Sequence, residues 1–301
     1  MKIHTFSIVV GTPACDAACP HCISRQTGLV GIDKSEINFP NLRKACQFAE
    51  KGGTSTVLFT GKGEPTLFPK EIYAYLAFLS NFSFPFIELQ TNGFQLGQLA
   101  NGENSTLTHK MLSNWKFEGL NTIAISTYSP TDPKVNERMF QHAPMTSLPV
   151  TIKMLRDFGF TVRLCVMLVK GGVDTVAKLK DVVRFCGEND VAQLTIRPIR
   201  YFGGGPNVLN FVSENALPVQ DLARLGTWVA QNGAFQYSVA HGAEVYTLNA
   251  EEGLTKGQNV CVSDCMTLSA KGTEEIRTLI FYRNGQLDTD WRPGSTILSG
   301  R

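Results

Sequence analysis

The stretch from Ile3 to Cys22 reads IHTFSIVVGTPACDAACPHC, and it decides both the fold and the chemistry to be expected of this chain. Its first eight residues alternate largely between apolar and polar side chains, which predicts a strand with one buried face. Cys15, Cys19 and Cys22 follow this strand directly, at spacings of four and three residues. Three thiolates on one short loop are soft ligands that suit zinc or an iron–sulfur cluster.

Beyond this stretch, short β-branched or aromatic runs alternate with longer segments of helical spacing. The predicted strands are Ile3–Val10, Thr56–Thr60, Phe86–Thr91, Thr122–Thr127, Thr161–Val169 and Ala192–Ile199. The predicted helices are Pro40–Lys51, Lys70–Asn81, Thr108–Trp115, Leu148–Phe158 and Thr175–Cys186. Six strands with helices between them indicate an α/β protein with a parallel sheet. The periodicity alone leaves open a doubly wound sheet and a closed or partial β/α barrel.

The alternation ends at the glycine-rich segment Tyr201–Asn207. We therefore expect two domains, a barrel over residues 1–202 and a small α+β extension over residues 203–301. The extension is predicted to contain a helix, a strand and a hairpin, since Asn-Gly between two β-rich runs is a strong hairpin signal. These elements are Val219–Gln231, Phe235–Ala240 and the paired runs Ile276–Tyr282 and Gln286–Asp290.

Composition excludes several classes of protein. The 28 Lys and Arg residues nearly balance the 26 Asp and Glu residues, so the net charge of +2 predicts neither a nucleic-acid nor a membrane partner. No apolar run approaches the roughly 20 residues that a transmembrane helix needs. A chain of 301 residues does not need its eight cysteines as disulfides, which favours a reducing, cytoplasmic location.

The cysteine loop resembles that of the radical S-adenosylmethionine (SAM) enzymes, in which CxxxCxxC follows the first strand and an aromatic residue precedes the third cysteine. His21 occupies the aromatic position. The resemblance implies that Cys15, Cys19 and Cys22 hold a [4Fe–4S] cluster whose fourth iron is left for the amino and carboxylate groups of SAM. It also implies a partial (β/α)6 barrel and reductive cleavage of SAM to a 5′-deoxyadenosyl radical, which takes a hydrogen atom from a substrate.

Later strand ends extend the resemblance in strand order. The segment Thr60–Thr66, TGKGEPT, is similar to the GxGEP motif, whose backbone and glutamate contact the methionine amino group of SAM in the family. Short polar side chains after the third and fourth strands match positions that reach the carboxylate or ribose, and Arg163 matches an arginine that pairs with the carboxylate. The residues expected to bind SAM are therefore Gly61, Gly63, Glu64, Pro65, Asn92, Ser126, Arg163 and His21.

The remaining cysteines leave alternatives open. Cys261 and Cys265 resemble the start of a SPASM or twitch extension, which carries auxiliary iron–sulfur clusters, but no cysteine follows them. A second cluster at these two residues would need ligands from Cys165, Cys186, another side chain or the substrate. We expect one cluster and keep the second as the alternative. Cys186 and Cys46 are expected in the core. Cys165 is expected to pack inside the barrel or to donate hydrogen to a product radical.

The implied function is that of a radical SAM enzyme acting on a small-molecule or nucleotide-like substrate, with a low-potential electron donor as partner. The amino-acid sequence of the segments Ile125–Glu137 and Thr151–Gly172 is most similar to the branch that includes molybdenum-cofactor biosynthesis and peptide-modifying enzymes. Because the barrel pattern begins at residue 3, a small molecule is preferred over a peptide. Peptide modification, activation of a glycyl-radical enzyme and, in a different class, a non-catalytic zinc-binding protein remain alternatives. Arg197 and Tyr128 are expected at the barrel mouth.

Overall fold

The computed structural model describes residues 1–28, 36–103, 107–142, 147–239, 242–249, 257–263, 275–292 and 294–300. Cys265 lies outside these ranges, so its predicted role stays untested. No helix in the described ranges is long and apolar enough to cross a membrane.

Six parallel strands form the centre of the sheet in chain order. They are β1 (Ile3–Val9), β2 (Thr56–Thr60), β3 (Phe86–Thr91), β4 (Thr122–Thr127), β5 (Thr161–Leu168) and β6 (Gln193–Pro198). Each predicted strand is thus confirmed to within one residue at either end. A doubly wound sheet reverses its strand order at a switch point, and this sheet does not. The architecture is the partial (β/α)6 barrel.

Within the described ranges, eight α-helices lie between residues 23 and 188, among the six central strands. They are α1 (Ile23–Gln26), α2 (Phe39–Lys51), α3 (Pro69–Leu79), α4 (Phe94–Ala100), α5 (His109–Phe117), α6 (Pro133–Phe140), α7 (Leu148–Asp157) and α8 (Val176–Glu188). The five predicted helices correspond to α2, α3, α5, α7 and α8. Cys46 on α2 and Cys186 on α8 are both fully buried in the core, as expected.

The two faces of the central strands explain why alternation was readable in the sequence. Alternate residues such as Phe6 and Ile8 on β1, or Val57 and Phe59 on β2, are fully buried beneath the helices. Burying each such side chain contributes about 1.5–3 kcal/mol to folding. Residues of the other parity, such as Ser7, face the barrel interior. The interior is therefore polar, while the layer between sheet and helices is the apolar core.

The last third of the chain extends this sheet at both edges. Its elements are α9 (Pro206–Asn215), α10 (Val219–Asn232), β7 (Gly233–Val239), β8 (Ala243–Leu248), β9 (Gln258–Ser263), β10 (Ile276–Phe281), β11 (Leu287–Asp288) and β12 (Thr296–Leu298). Strand β9 pairs in parallel with β6, and β10 pairs in parallel with β1. The hairpin between β10 and β11 is confirmed. Because the sheet continues past residue 203, the division into two domains there stays a prediction.

Candidate active site

The three cysteines of the first motif lie in the loop between β1 and α1, at the carboxyl end of the parallel strands. The amide of Cys22 donates a hydrogen bond to the carbonyl of Cys19 at 3.2 Å, which forms a tight turn between these two residues. The carbonyl of Cys22 then accepts hydrogen bonds from the first turn of α1. In β/α folds the loops at the carboxyl ends of strands carry the chemistry, and this loop is in that position.

The loop after β2 lies directly against the cysteine loop. The amide of Glu64 donates to the carbonyl oxygen of Ala14 at 2.9 Å. A Cβ atom added to Gly63 would lie 2.0 Å from that same oxygen, so only glycine allows the two backbones to approach so closely. Pro65 then starts a short 3-10 helix, Pro65–Leu67. The CxxxCxxC and GxGEP motifs are therefore one structural unit.

The Glu64 carboxylate connects this unit to the end of β3. The amide and hydroxyl of Thr66 donate to Oε1 at 2.9 and 2.6 Å, and the hydroxyl of Thr91 donates to the same oxygen at 2.6 Å. The amide of Asn92 donates to Oε2 at 2.9 Å. Burial raises the pKa of Glu64, although these hydrogen bonds oppose the shift. Glu64 is only 3% exposed, and its predicted contact with the SAM amino group stays a prediction.

Asp16 is held in the cysteine loop by two amide side chains. Asn92 Nδ2 donates to Asp16 Oδ1 at 2.6 Å, and Gln95 Nε2 donates to Asp16 Oδ2 at 2.9 Å. Asn92 Oδ1 in turn accepts from the amide of Phe94, at the start of α4. Asn92 was predicted as a SAM ligand, whereas Asp16 and Gln95 were missed. The acidic residue within CxxxC was the one signal in the sequence that pointed to this arrangement.

His21 is enclosed by aromatic rings behind the cysteine loop. Its ring is stacked on Phe211 with centroids 5.7 Å apart, and Nε2 forms a hydrogen bond with the Tyr128 hydroxyl at 3.1 Å. Burial, and secondarily the charge of Arg197, lowers the pKa of His21 to about 4. His21 Nδ1 is buried without a hydrogen-bond partner, which leaves one polar atom for a ligand. Tyr128 is only 1% exposed and thus lies beneath the loop, not at an open mouth.

Lys62, in the middle of the second motif, is a further residue that sequence reasoning missed. Its ammonium donates to the Thr27 hydroxyl at 2.9 Å and to the Gly28 carbonyl at 2.8 Å. It also lies 4.9 Å from the ring centroid of Trp291, in the segment after β11. Burial lowers the pKa of Lys62 to about 8. Lys62 thus connects the chain after the cysteine loop to the last third of the protein.

A cavity of about 750 Å³ fills the barrel interior next to these motifs. Inward residues of all six central strands line it, together with residues of β8, β9 and β10. Gly61 and Lys62 form part of its wall at the carboxyl end of the strands. Ser126, which is half-buried, shares the inner parity of β4 and lies beside Cys165 on β5. The cavity therefore adjoins the predicted SAM-binding motifs.

Arg163 has a partner that differs from the predicted one. Its Nη1 forms an ion pair with Glu88 Oε2 on β3, and its Nη2 donates to the Thr195 hydroxyl at 3.0 Å. It lies five residues before the end of β5, a distance of about 16 Å along a strand, in the amino-terminal half of the sheet. The structure pairs this guanidinium with Glu88, below the cysteine loop, and its predicted ion pair with the SAM carboxylate stays a prediction.

Two cysteines face the cavity. Cys165 on β5 and Cys261 on β9 are both aligned with Thr195 on β6, one on each side. Two strand spacings separate their Cα atoms by about 9.6 Å, which exceeds the roughly 7 Å limit for a disulfide. Cys186 belongs to α8, on the outer side of the sheet, so it is not available to a cluster that Cys261 would hold within the cavity.

The three cysteines of the first motif are a donor set that suits a [4Fe–4S] cluster, in which each thiolate binds a different iron. Among the described residues, no three His, Cys, Asp or Glu side chains converge as the ligands of one metal ion do. Burial raises the pKa of the Cys19 thiol to about 11, so this thiol ionises at neutral pH only beside a strong positive charge such as iron.

Comparison with known proteins identifies the class. The model of the radical SAM superfamily matches residues 9–186, more than half of the 301 residues, and the chain therefore belongs to this superfamily. It is an enzyme that uses a [4Fe–4S] cluster and SAM, and the alternative of a non-catalytic zinc-binding protein is wrong. A comparison with the sequences of curated proteins finds no match.

Solved structures show the same fold. Streptococcus suis SuiB bound to S-adenosylmethionine superposes with a TM-score of 0.61 at 14% identity, over 95% of this chain and 58% of that chain. SuiB bound to its precursor peptide SuiA gives 0.56 at 13%, over 100% and 62%. Native anSMEcpe with bound AdoMet and Kp18Cys peptide gives 0.53 at 12%, over 76% and 61%. The chain thus spans less than two thirds of the length of these neighbours.

Proposed function

We propose that this enzyme binds SAM against a cluster held by Cys15, Cys19 and Cys22, and that it abstracts a hydrogen atom from a polar small molecule in the barrel cavity. One observation carries the proposal: a cavity of about 750 Å³, lined by polar side chains of every central strand, adjoins the two motifs. Pockets for small molecules measure about 300–1,000 Å³. The volume suits a molecule of nucleotide size or smaller.

A reduced [4Fe–4S] cluster, when bound, supplies the electron that cleaves SAM to methionine and a 5′-deoxyadenosyl radical. The protein's own contribution is orientation. Glu64 fixes the loop after β2 through four hydrogen bonds, which leaves the backbone carbonyls around Gly61 and Gly63 as the acceptors for the SAM ammonium. Asn92 holds the cysteine loop through Asp16. Ser126, on the inner face of β4, is the polar group we assign to the SAM carboxylate or ribose.

His21 is assigned to the adenine-binding end of the SAM site. Its stacking on Phe211 and its hydrogen bond to Tyr128 fix the plane of the ring next to Cys22. The free Nδ1 atom then has a defined direction for one hydrogen bond to a ligand. Pro65 sets the direction of the chain that leaves the motif, as the first residue of its 3-10 helix.

The substrate lies between the barrel and the last third of the chain. Val245 on β8 and Cys261 on β9 line the cavity together with the barrel strands, and Trp291 closes it near Lys62. Such enclosure keeps water away from a radical and positions the target C–H bond. This placement agrees with a functional division near residue 203, which remains part of the proposal.

Peptide modification is the second candidate, because the fold is shared with SuiB and anSMEcpe, whose structures contain peptides. The two candidates differ in the size of the molecule that must enter the cavity. A small molecule fits within it as a whole, whereas a peptide can place only one or two side chains there. We prefer the small molecule.

Release of 5′-deoxyadenosine tests the proposal. Anaerobically reconstituted protein, reduced with dithionite in the presence of SAM, should contain about four irons and release 5′-deoxyadenosine. Cys15→Ala, Cys19→Ala and Cys22→Ala should each abolish release, and Cys46→Ala, in the core of α2, is the matched control that should retain it. Turnover that survives any of the first three substitutions contradicts the cluster assignment. About eight irons would instead support the second cluster.

The substrate class is tested with cell extract divided by size. Metabolites below about 1 kDa, the size range of pocket-filling molecules, should stimulate 5′-deoxyadenosine release above its rate without substrate. Deuterium transferred from a labelled extract into 5′-deoxyadenosine would identify the fraction that contains the substrate. Stimulation by the peptide fraction alone would favour the second candidate.

A further inference from the structure

The cavity carries an excess of positive charge. Among its described lining residues, the cations are Lys62, Arg163, Arg197 and Arg277, and the carboxylate is Glu88. Glu88 is already engaged on both oxygens, since Oε2 forms the ion pair with Arg163 and Oε1 accepts a hydrogen bond from Gln90 Nε2 at 3.1 Å. Its single negative charge is therefore already balanced by Arg163.

Arg197 is the cation that this arrangement leaves uncompensated. It lies on β6 with its side chain half-buried and facing the cavity, and no described residue forms a hydrogen bond or ion pair with it. Its charge acts on His21 in the cysteine loop and on Cys261 on β9. Residue 197 follows Ile196, which is aligned with Val262 on β9, so Arg197 lines the cavity beside the strands of the last third, where we place the substrate.

Arg163 and Arg197 both face the cavity, and Thr195 lies between their levels: Arg163 on β5 is aligned with Gln193, four residues before Arg197 on β6. Thr195 precedes Arg197 by two residues on β6, about 7 Å along the strand, and its hydroxyl accepts from Arg163 Nη2. Arg163 Nε is buried and has no hydrogen-bond partner. The wall of the cavity thus offers one unpaired guanidinium and one unused N–H donor, with a hydroxyl between them.

We propose that Arg197 and Arg163, with Thr195, bind an anionic group of the substrate, a phosphate or a carboxylate. The inference rests on the proposed function, because it names the class of molecule that occupies the same cavity. Removing a guanidinium from water without a counter-charge is unfavourable, and an anionic ligand supplies that counter-charge. The planar donors of arginine match the oxygens of phosphate and carboxylate in pairs, which a lysine does not reproduce.

Equilibrium dialysis with inorganic pyrophosphate and with citrate tests the site, using the reconstituted protein with SAM bound. Wild-type protein should bind at least one of these probes saturably, and binding should weaken as salt is added. Arg197→Gln should weaken it about 30-fold or more, the factor that corresponds to loss of a buried charged partner, and Arg197→Lys should fall between the two. Arg224→Gln, which removes an equal charge on the surface of α10, should leave binding unchanged.

SAM itself has a carboxylate, so the affinity for SAM shows whether Arg197 binds the cofactor or the anionic group of the substrate. If Arg197→Gln weakens SAM binding by the same factor as probe binding, the guanidinium serves the cofactor and the proposal is overturned. Unchanged SAM affinity supports the proposal and also shows that the variant is folded. Absence of saturable binding of both probes to the wild type overturns it. If the wild type binds a probe but releases no 5′-deoxyadenosine, the proposed function fails while the anion site stands.

Discussion

Replacing Gly63 with alanine tests the contact on which the cofactor site depends. The new Cβ would lie 2.0 Å from the carbonyl oxygen of Ala14, and such contacts are essentially never below 3.0 Å. The two backbones must therefore separate by at least 3.0 − 2.0 = 1.0 Å. The same movement lengthens the 2.9 Å hydrogen bond from the Glu64 amide to about 3.9 Å, beyond the range in which it holds.

The cost of Gly63→Ala follows from two effects. Overpacking costs about 1–3 kcal/mol, and a buried amide left without its acceptor costs about 1–3 kcal/mol. The sum, about 2–6 kcal/mol, is a large part of the 5–15 kcal/mol by which domains are stable. We expect a free energy of unfolding lower by about 3 kcal/mol or more, and less iron after reconstitution because the Cys15 side of the loop has moved.

Anaerobic urea denaturation followed by circular dichroism measures the first effect, and an iron and sulfide assay measures the second. Gly226→Ala is the matched control, because Gly226 lies within α10 and the nearest atom to its new Cβ is 3.9 Å away. That change should be neutral or stabilise by up to about 1 kcal/mol. A Gly63→Ala protein within about 1 kcal/mol of wild type and with full iron content would refute the close-approach argument.

Three further predictions concern buried polar groups. Burial raises the folded-state pKa of Glu64 above 4.5, so the stability that its protonated form contributes is lost as pH rises from 4.5 through that pKa. The free energy of unfolding of wild type, measured relative to that of Glu64→Gln at several pH values, should therefore fall over this interval. Asp16→Asn loses a charged acceptor shared by two amides, which should cost about 2 kcal/mol and accelerate iron loss to a chelator; an unchanged rate would contradict the positioning role. Arg163→Met should cost about 3 kcal/mol because Glu88 is left unpaired, and Glu88→Met in the same chain should restore most of it in a double-mutant cycle.

The central sheet was predictable because one face of its strands packs beneath helices and the other lines the polar interior. The outward residues of β1 and β2 must be apolar to pack beneath helices, and that requirement appears in the sequence as alternation. Helix α4 gives no such signal, because five of its seven residues are buried, the polar Gln95 among them. Helix α6 does carry a local signal, the Asp132 cap before Pro133, but its eight residues were too few to stand out by periodicity.

The pairing of β10 with β1 could not be predicted from the sequence near either strand. The two strands lie more than two hundred residues apart in the chain, and no turn signal links them. The same limit applies to Arg163. Its parity correctly predicts that it faces the interior, but its partner depends on which residue of β3 lies opposite across the barrel. Sequence indicates the face of a strand, whereas the ion pair with Glu88 depends on three-dimensional register.

The placement of β9 and β10 has a consequence for how the protein must be made. Until β10 has been synthesised, β1 presents an unpaired edge, and β6 does so until β9 has been synthesised. Such nascent chains would expose unpaired backbone to one another and depend on chaperones. The cavity would also stay incomplete until β9 and β10 have joined the sheet, because residues of both strands form part of its wall.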